Sequence, residues 1–132
     1  MTPPASVVDF RRRLLAADAL LTCSPEYAHG VPGALKNALD WLVSVPELPF
    51  KSVGLLNASP RSVHAQASLL ETLRTMSLRV VPGATIALPV AGRGLDAPCI
   101  AADEQLAGAL RSALEALVAA AAEPPQGGPS AS

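Results

Sequence analysis

Three short apolar runs alternate with longer amphipathic segments along this chain, and no other feature constrains the fold as strongly. The runs cover Asp18 to Cys23, Lys51 to Asn57 and Thr85 to Val90. Apolar runs of this length are typical of buried strands, whereas the segments between them carry apolar side chains at helical spacing. Because strands that alternate with helices form parallel sheets with helices on both faces, the sequence predicts an α/β fold of three layers. We expect about three to four strands in this sheet.

Four helices are predicted around these strands from the spacing of their apolar residues. They cover Ser6 to Ala17, Pro32 to just before Pro46, Ser62 to Ser77, and Asp103 to Ala122. The Ser6 hydroxyl is expected to cap the first helix. The longest helix is expected to turn five side chains inward, namely Leu106, Leu110, Leu114, Leu117 and Val118.

The segments around the third run are expected to be irregular. Leu78 to Val81 has the pattern of a short strand, but Pro82 and Gly83 break it. Gly92 to Pro98 is expected to be a loop. Residues 124–132 are rich in Pro, Gly and Ser and are expected to form a disordered tail, which leaves residues 1–123 as the folded domain.

The composition argues against several classes of protein. Half of the 132 residues are hydrophobic and 16% are charged, so the chain can bury a core. The 10 basic and 11 acidic residues leave a net charge of −1, which favours neither nucleic acid nor an anionic membrane as a partner. No apolar run reaches membrane length, and Met1 to Pro4 lacks the pattern of a targeting signal. Cys23 and Cys99 have no metal-site spacing, so we expect a reduced, cytoplasmic protein without a metal.

A triple arginine, Arg11 to Arg13, lies on the first predicted helix. Consecutive arginines can bind phosphate, but they also occur on solvated helix faces. The neutral total charge favours a solvated face.

Two loops follow predicted strands and are the candidate site. They are Ser24 to Gly33 and Ala58 to Val63, each directly after an apolar run. In open parallel sheets ligands bind in the crevice beyond the carboxyl ends of the strands. We therefore expect the two loops to lie side by side at that edge and to form the binding site together.

The first loop and the helix after it carry the most specific motif. Residues 25–41 read Pro-Glu-Tyr-Ala-His-Gly-Val-Pro-Gly-Ala-Leu-Lys-Asn-Ala-Leu-Asp-Trp. This stretch closely resembles the signature of the NADPH-dependent FMN reductase family, Pro-Glu-Tyr-Asn-His-Gly-x-Pro-Gly-x-Leu-Lys-Asn-x-x-Asp-Trp. The second loop resembles that family's small-residue turn after the next strand. The resemblance spans about Val8 to Val118 and implies a flavodoxin-like fold.

The resemblance also implies cofactors and the residues that hold them. Members of this family pass hydride from NAD(P)H through bound FMN to a small electron acceptor, so the cofactor carries the chemistry and no catalytic acid or base is required. A flavin ring needs a flat wall and backbone donors, which a stiff loop with an aromatic side chain can supply. The candidate FMN-binding residues are Pro25, Glu26, Tyr27, Ala28, His29 and Gly30 in the first loop, and Ser59, Pro60 and Arg61 in the second.

Several of these residues have a simpler interpretation. Glu26 could act as a general base, but a loop carboxylate held by backbone amides is the favoured interpretation. His29 could deliver a proton or hold a purely positional role. Trp41 is expected in the core or at a subunit interface, and Cys23 is expected to be an inert buried thiol at the end of its strand.

The sequence departs from the family pattern in two ways. Ala28 replaces an Asn, which removes one side-chain hydrogen bond near the ring. Family members also begin with a strand and a Gly-Ser-x-Arg-x-x-Ser loop that holds the FMN phosphate, followed by a helix and a second strand, whereas this sequence is expected to begin at the helix after them. A flavodoxin-like sheet without its first βαβ unit leaves the Asp18 to Cys23 strand as an exposed apolar edge.

The sequence therefore predicts an FMN-dependent NAD(P)H oxidoreductase of the FMN, quinone or azo reductase type. The alternative is a degenerate flavodoxin-like module that is inactive and serves as a weak flavin-binding or protein-interaction domain. We expect a homodimer or homotetramer, formed through the edge of the Leu20 strand, through the Trp41 helix, or through both. A small-molecule electron acceptor is the expected partner, with no role for nucleic acid or membrane.

Overall fold

The computed structural model describes residues 2–24, 31–59 and 63–123, and within them helices and strands alternate as the sequence predicts. The elements, in chain order, are α1 (Ala5–Ala16), β1 (Ala19–Cys23), α2 (Gly33–Leu42), β2 (Ser52–Asn57), α3 (Val63–Thr75), β3 (Arg79–Ala87), α4 (Ala97–Ala102) and α5 (Glu104–Ala122). The predicted tail, 124–132, lies outside the described residues.

The three strands form one parallel sheet in the order β1-β2-β3. Cys23 lies opposite Leu56 in the first pair, and Leu56 lies opposite Ile86 in the second. This confirms the predicted parallel sheet, with three strands among the described residues. The central strand, β2, is buried from Ser52 through Leu56.

Strand β3 is a single element where the sequence suggested two pieces. Val53 of β2 pairs with Val80, but Leu55 pairs with Thr85, so β3 bulges between these two registers. Pro82 lies in the bulge, where its missing N–H breaks no ladder hydrogen bond. The Thr85 hydroxyl donates a hydrogen bond of 2.9 Å to the Val81 carbonyl and bridges the bulge. The prediction of a break at Pro82 was therefore wrong, because the chain forms a bulge there and β3 continues after it to Ala87.

Helices cover both faces of the sheet, which gives the three predicted layers. On one face Val53 and Leu55 of β2 are buried with leucines of α2 and α3, and Phe10 and Leu14 of α1 pack against them. On the other face α5 packs against β3 through a second cluster: Val81, Ala84, Ala113 and Leu117. A third cluster lies toward the carboxyl end of the sheet and contains Leu56, Leu88 and Leu106.

Gly54 permits close packing on the α5 face of the sheet. A Cβ at this position would lie 2.8 Å from both the Cβ and the carbonyl oxygen of Ala84, and 3.1 Å from Cδ1 of Leu21. The side chains of Leu21 in β1 and Ala84 in β3 therefore both lie close to the backbone of β2 at Gly54. Position 54 requires glycine because a Cβ has no space there, and not because of its backbone conformation, since the φ of Gly54 is not positive.

Helix α1 begins before its predicted start, and α4 begins inside a predicted loop. Helix α1 begins at Ala5, so Ser6 lies inside its first turn and cannot cap it. The Pro4 carbonyl accepts hydrogen bonds from the amides of Val7 and Val8, which starts the helix one residue early. The segment expected to be a loop through Pro98 already enters α4 at Ala97, because proline is well tolerated in a first helical turn.

Aspartates cap the last two helices. The Asp96 carboxylate accepts a hydrogen bond of 2.9 Å from the Cys99 amide at the start of α4. The Asp103 carboxylate accepts one of 3.0 Å from the Leu106 amide at the start of α5. The pKa of Asp96 is held below its ordinary value of 3.8, first by a hydrogen bond from the Cys99 thiol and then by the Cys99 amide.

Cations close the other ends of two helices at the amino edge of the sheet. The Lys51 ammonium donates hydrogen bonds to the carbonyls of Leu15 and Ala17 at the end of α1. The Arg79 guanidinium donates to the Ala120 carbonyl near the end of α5 and lies 3.5 Å from the Glu123 carboxylate. Both contacts place positive charge where the helix dipoles are negative.

Three burial predictions were wrong, and all three concern one side of the molecule. Leu114 and Val118 were expected to face inward, but they are 47% and 69% exposed. Helix α5 lies mainly over β3 and β2, with Ala113 and Leu117 against the sheet, so its flank beyond β1 is left open. For the same reason Cys23, expected to be buried, is exposed at the end of β1.

We expect Gly54→Ala to lower the free energy of unfolding by about 1–3 kcal/mol, because the new methyl group collides with backbone as well as side-chain atoms. Gly108→Ala is the matched control. Gly108 lies within α5 with nothing within 4 Å of its Cβ position, so this variant is expected to gain about 0.5–1 kcal/mol. Urea denaturation of the three proteins measures both changes, and equal stabilities for the two variants would contradict the packing described for Gly54.

A second prediction concerns the Asp96 cap. Because the pKa of the folded-state carboxyl is below its unfolded value, its stabilising contribution is present above the unfolded pKa and is lost as the pH falls through the folded one. We expect Cys99→Ala to move the Asp96 pKa part of the way back toward 3.8, because it removes the thiol donor but keeps the amide. Carboxyl chemical shifts in an NMR titration measure this, with Cys23→Ala as the control that leaves the Asp96 pKa unchanged.

Candidate functional site

The carboxyl ends of the three strands meet at one edge of the sheet. Strand β1 ends at Cys23, β2 at Asn57 and β3 at Ala87, and the parallel register aligns these ends. The two predicted loops both leave from this edge, as their described flanks show. Most of the predicted site residues lie outside the described residues, so their roles stay predictions: Pro25, Glu26, Tyr27, Ala28, His29, Gly30, Pro60 and Arg61. Ser59 is the predicted site residue that the structure describes.

Asn57 shapes the start of the second loop. Its side-chain oxygen accepts a hydrogen bond of 3.2 Å from the Ser59 amide, which makes a turn of the Asx type. Asn57 and Ser59 are both half-buried. This turn fixes the backbone from Asn57 to Ser59, immediately at the end of β2. The sequence interpretation missed this role of Asn57, although Asn at the end of a strand is a familiar turn signal.

The chain after β3 also belongs to this edge. The Leu88 amide donates a hydrogen bond of 2.7 Å to the Asn57 carbonyl, and the amides of Val90 and Ala91 donate to the Ala58 carbonyl over 3.2 and 3.0 Å. Residues 88–91 therefore hold the Asn57–Ser59 turn from one side. They were absent from the predicted site, although the third apolar run, extending to Val90, already pointed to this edge.

A buried apolar floor supports the edge from below. Leu56, Leu88 and Leu106 form it, and half-buried residues of the neighbouring loop and α4 pack against them, including Val90, Leu95 and Ile100. Above the floor the strand ends carry short side chains: Ser24, Ala58 and Ser59. Short side chains let a flat ligand approach backbone groups, so this part of the edge fits a flavin ring.

The triple arginine has local partners and lies on α1. Arg12 and Arg13 both contact the Asp9 carboxylate, and they hold the pKa of Asp9 below its ordinary value, Arg12 more strongly. Arg11 donates to the Trp41 carbonyl and to the Ser44 hydroxyl, and its guanidinium lies 6.0 Å from the centre of the Trp41 ring. Arg12 and Arg13 are exposed, as the solvated face favoured from the sequence requires, whereas Arg11 is half-buried and ties α1 to α2.

Two further classes of site find no support in the part of the chain that the structure describes. No group of three or more His, Cys, Asp and Glu side chains there could hold a metal ion. None of the helices in those residues is long and apolar enough to cross a membrane.

Comparison with solved structures relates the fold to flavoenzymes. The flavoenzyme NAD(P)H:(acceptor) oxidoreductase FerB from Paracoccus denitrificans is similar over 89% of this chain and 68% of its own, with a TM-score of 0.67 and 28% identity. An oxidoreductase from Corynebacterium diphtheriae is similar over 93% of this chain and 66% of its own, with a TM-score of 0.66 and 20% identity. These neighbours are flavodoxin-like, which confirms the predicted fold class.

Two curated relatives show how much of a whole protein this chain covers. An NAD(P)H-dependent FMN reductase from Pseudomonas aeruginosa is 34% identical over 119 residues, which is 86% of this chain and 64% of that protein. A quinone reductase from Escherichia coli is 44% identical over 46 residues, 35% of this chain and 24% of that protein. The chain thus spans less than two thirds of the length of these relatives.

The family comparison covers the strands and loops from which the candidate site is built. The model for the NADPH-dependent FMN reductase family matches residues 1–93, which include β1, β2 and β3, both predicted loops and the motif from Pro25 to Trp41. That span is more than half of the chain. This chain belongs to the NADPH-dependent FMN reductase family.

Proposed function

We propose that this protein is an NAD(P)H-dependent flavin oxidoreductase that binds FMN at the carboxyl edge of its sheet. One observation carries the proposal. The loop with the family motif leaves β1 directly beside the Asn57–Ser59 turn at the end of β2, since Cys23 and Leu56 are register partners. A crevice between adjacent strand ends is where a parallel sheet of this type binds its ligand.

The proposed roles follow from the chemistry of the residues. Pro25, Tyr27 and Gly30 would provide a stiff aromatic wall and close backbone approach, and Glu26, Ala28 and His29 would contribute their backbone amides. Ser59, Pro60 and Arg61 would close the other side, on the turn that Asn57 holds. FMN, when bound, supplies the hydride chemistry between NAD(P)H and the acceptor. The chain's own residues then bind and orient the ring.

The relatives support the reaction class more strongly than the acceptor. One is named an FMN reductase and another a quinone reductase, so a small-molecule electron acceptor is the proposed partner. The proposed location is the cytoplasm, and the free thiols of Cys23 and Cys99 are compatible with such a reducing compartment. The other candidate function is that of a degenerate module without activity. The visible absorption spectrum of the purified protein and its NAD(P)H oxidation with added FMN distinguish the two candidates.

A titration tests how the 132 residues hold the cofactor. They contain no Gly-Ser-x-Arg-x-x-Ser loop, so we expect FMN and riboflavin to bind this chain with similar, weak affinity. A phosphate held by backbone amides gains about 1.5–3 kcal/mol from each charge-assisted hydrogen bond, so a chain with that loop would strongly prefer FMN. Flavin fluorescence measures both dissociation constants. A strong preference for FMN would show that this chain has a phosphate site elsewhere.

Asn57 variants test the position of the ring site. We expect Asn57→Ala to raise the flavin dissociation constant about fivefold, because losing a hydrogen bond worth about 1 kcal/mol loosens the turn. Asn57→Asp keeps an acceptor for the Ser59 amide and is the control expected to bind nearly as well as the parent. Equal affinities for the alanine variant and the parent would place the flavin away from this turn.

A further inference from the structure

Arg11 is the member of the triple arginine that reaches out of its own helix. Its two neighbours both contact Asp9 on α1. Arg11 is half-buried instead, and its Nε and Nη2 donate hydrogen bonds of 2.9 and 2.6 Å to the Trp41 carbonyl on α2. Nη2 also donates one of 3.2 Å to the Ser44 hydroxyl, and the guanidinium lies 6.0 Å from the centre of the Trp41 ring. These directional contacts fix the end of α2 relative to α1.

Helix α2 depends on this outside contact because it has few polar anchors of its own. The Trp41 carbonyl is among the last four of the helix, which have no partner within it, and the last turn of α2 contains no basic residue. No side chain caps the start of the helix at Pro32. The Lys36–Asp40 ion pair is exposed and lies within α2, so it joins the helix to nothing else. In the described part of the chain, the side-chain hydrogen bonds that join α2 to another element come from Arg11.

Apolar contacts hold the two halves of α2 unequally. Leu39 and Leu42 are buried in the core, and both lie in the second half of the helix. In the first half Leu35 is half-buried against the same core. An open groove of about 350 Å³ separates α1 from α2, and Ala34 and Asn37 line it on the α2 side. The position of the first half therefore depends on how the second half is held.

The start of α2 is close to the proposed flavin site along the chain. We call the loop between β1 and α2, which carries the family motif, the motif loop. It leads into α2 at Gly33, and the helix from Gly33 to Trp41 is about 12 Å long at about 1.5 Å per residue. A tilt of about 10° about Trp41 would thus move Gly33 by about 2 Å. A shift of this size in a binding loop is enough to weaken binding strongly.

We propose that Arg11 is a positioning residue for the flavin site. By holding the end of α2 through the Trp41 carbonyl, it fixes the start of α2 and with it the far end of the motif loop. The inference rests on the proposed function, since the motif loop is there proposed to bind the ring. It also gives a role to two features of the sequence, the triple arginine and the tryptophan that ends the motif.

Two measurements on Arg11 variants of the whole chain test the proposal. Arg11→Met keeps an apolar stem but removes every donor, so we expect the riboflavin dissociation constant to rise about tenfold. The Lys36 amide, which donates a hydrogen bond of 3.0 Å to the Pro32 carbonyl in the first turn of α2, should exchange its hydrogen faster. Arg11→Lys keeps the charge and one donor group, and its dissociation constant should lie about threefold above that of the parent.

Two control variants separate positioning from a general loss of stability. Arg12→Met removes an exposed arginine from the same helix and should leave riboflavin affinity and Lys36 exchange at the values of the parent. Val81→Ala removes buried methyl groups from the cluster between β3 and α5, on the opposite face of the sheet from α2. It should lower the urea midpoint without changing either measurement, because an amide in a first helical turn exchanges by local opening.

Each outcome decides the proposal. Exchange at Lys36 that is unchanged in Arg11→Met overturns it, and so does faster exchange with unchanged riboflavin affinity. Val81→Ala that weakens riboflavin binding as much as Arg11→Met also overturns it, because stability alone would then explain the loss. A parent chain that binds neither riboflavin nor FMN rejects the proposed function and this inference with it. A parent that binds riboflavin no better than Arg11→Met rejects the inference alone.

Discussion

The parallel pairing of β2 with both of its neighbours is the constraint on which the rest of the molecule depends. It aligns the ends of the three strands, so the loops that follow β1 and β2 leave from the same edge. It also places Val53 and Leu55 on one face and Gly54 on the other, which separates the α1–α3 layer from the α5 layer. Parallel strands are stable only when both faces are covered, and β2 is buried from Ser52 to Leu56 because both helical layers close over it.

Much of this architecture could be predicted because its signals are local. The apolar runs through Leu20 and Leu55 are short and bounded by turn residues, and the helices between them keep regular apolar stripes. The parts that could not be predicted depend on tertiary contacts. The bulge at Pro82 is visible only once β2 provides a register, and the exposure of Leu114 depends on where α5 crosses the sheet. A helical stripe shows which residues share a face but not how much of that face a neighbour covers.

The candidate site, too, has features that the sequence predicts and features that depend on tertiary contacts. The motif from Pro25 to Trp41 was recognisable because its residue types are unusual and closely spaced, and the family match over residues 1–93 confirms the resemblance. What the sequence did not indicate is the support around the loops. Asn57 holds the turn before Ser59, and the amides of Leu88, Val90 and Ala91 hold that turn from the other side. Backbone hydrogen bonds between distant segments carry no residue signature, so the contribution of residues 88–91 emerges only from the fold.

Strand β1 leads into the motif loop, so the stability of this strand bears on the candidate site. Among the described residues β1 pairs with β2 alone, and its last residue, Cys23, is exposed next to the start of the motif loop. A strand paired on one side opens locally more easily than one paired on both, because fewer hydrogen bonds and apolar contacts must break together. The position of Cys23, next to the start of the motif loop, therefore depends on the pairing of β1 with β2. In the proposed site, that pairing fixes the start of the motif loop relative to the Asn57–Ser59 turn, between which the flavin ring would bind.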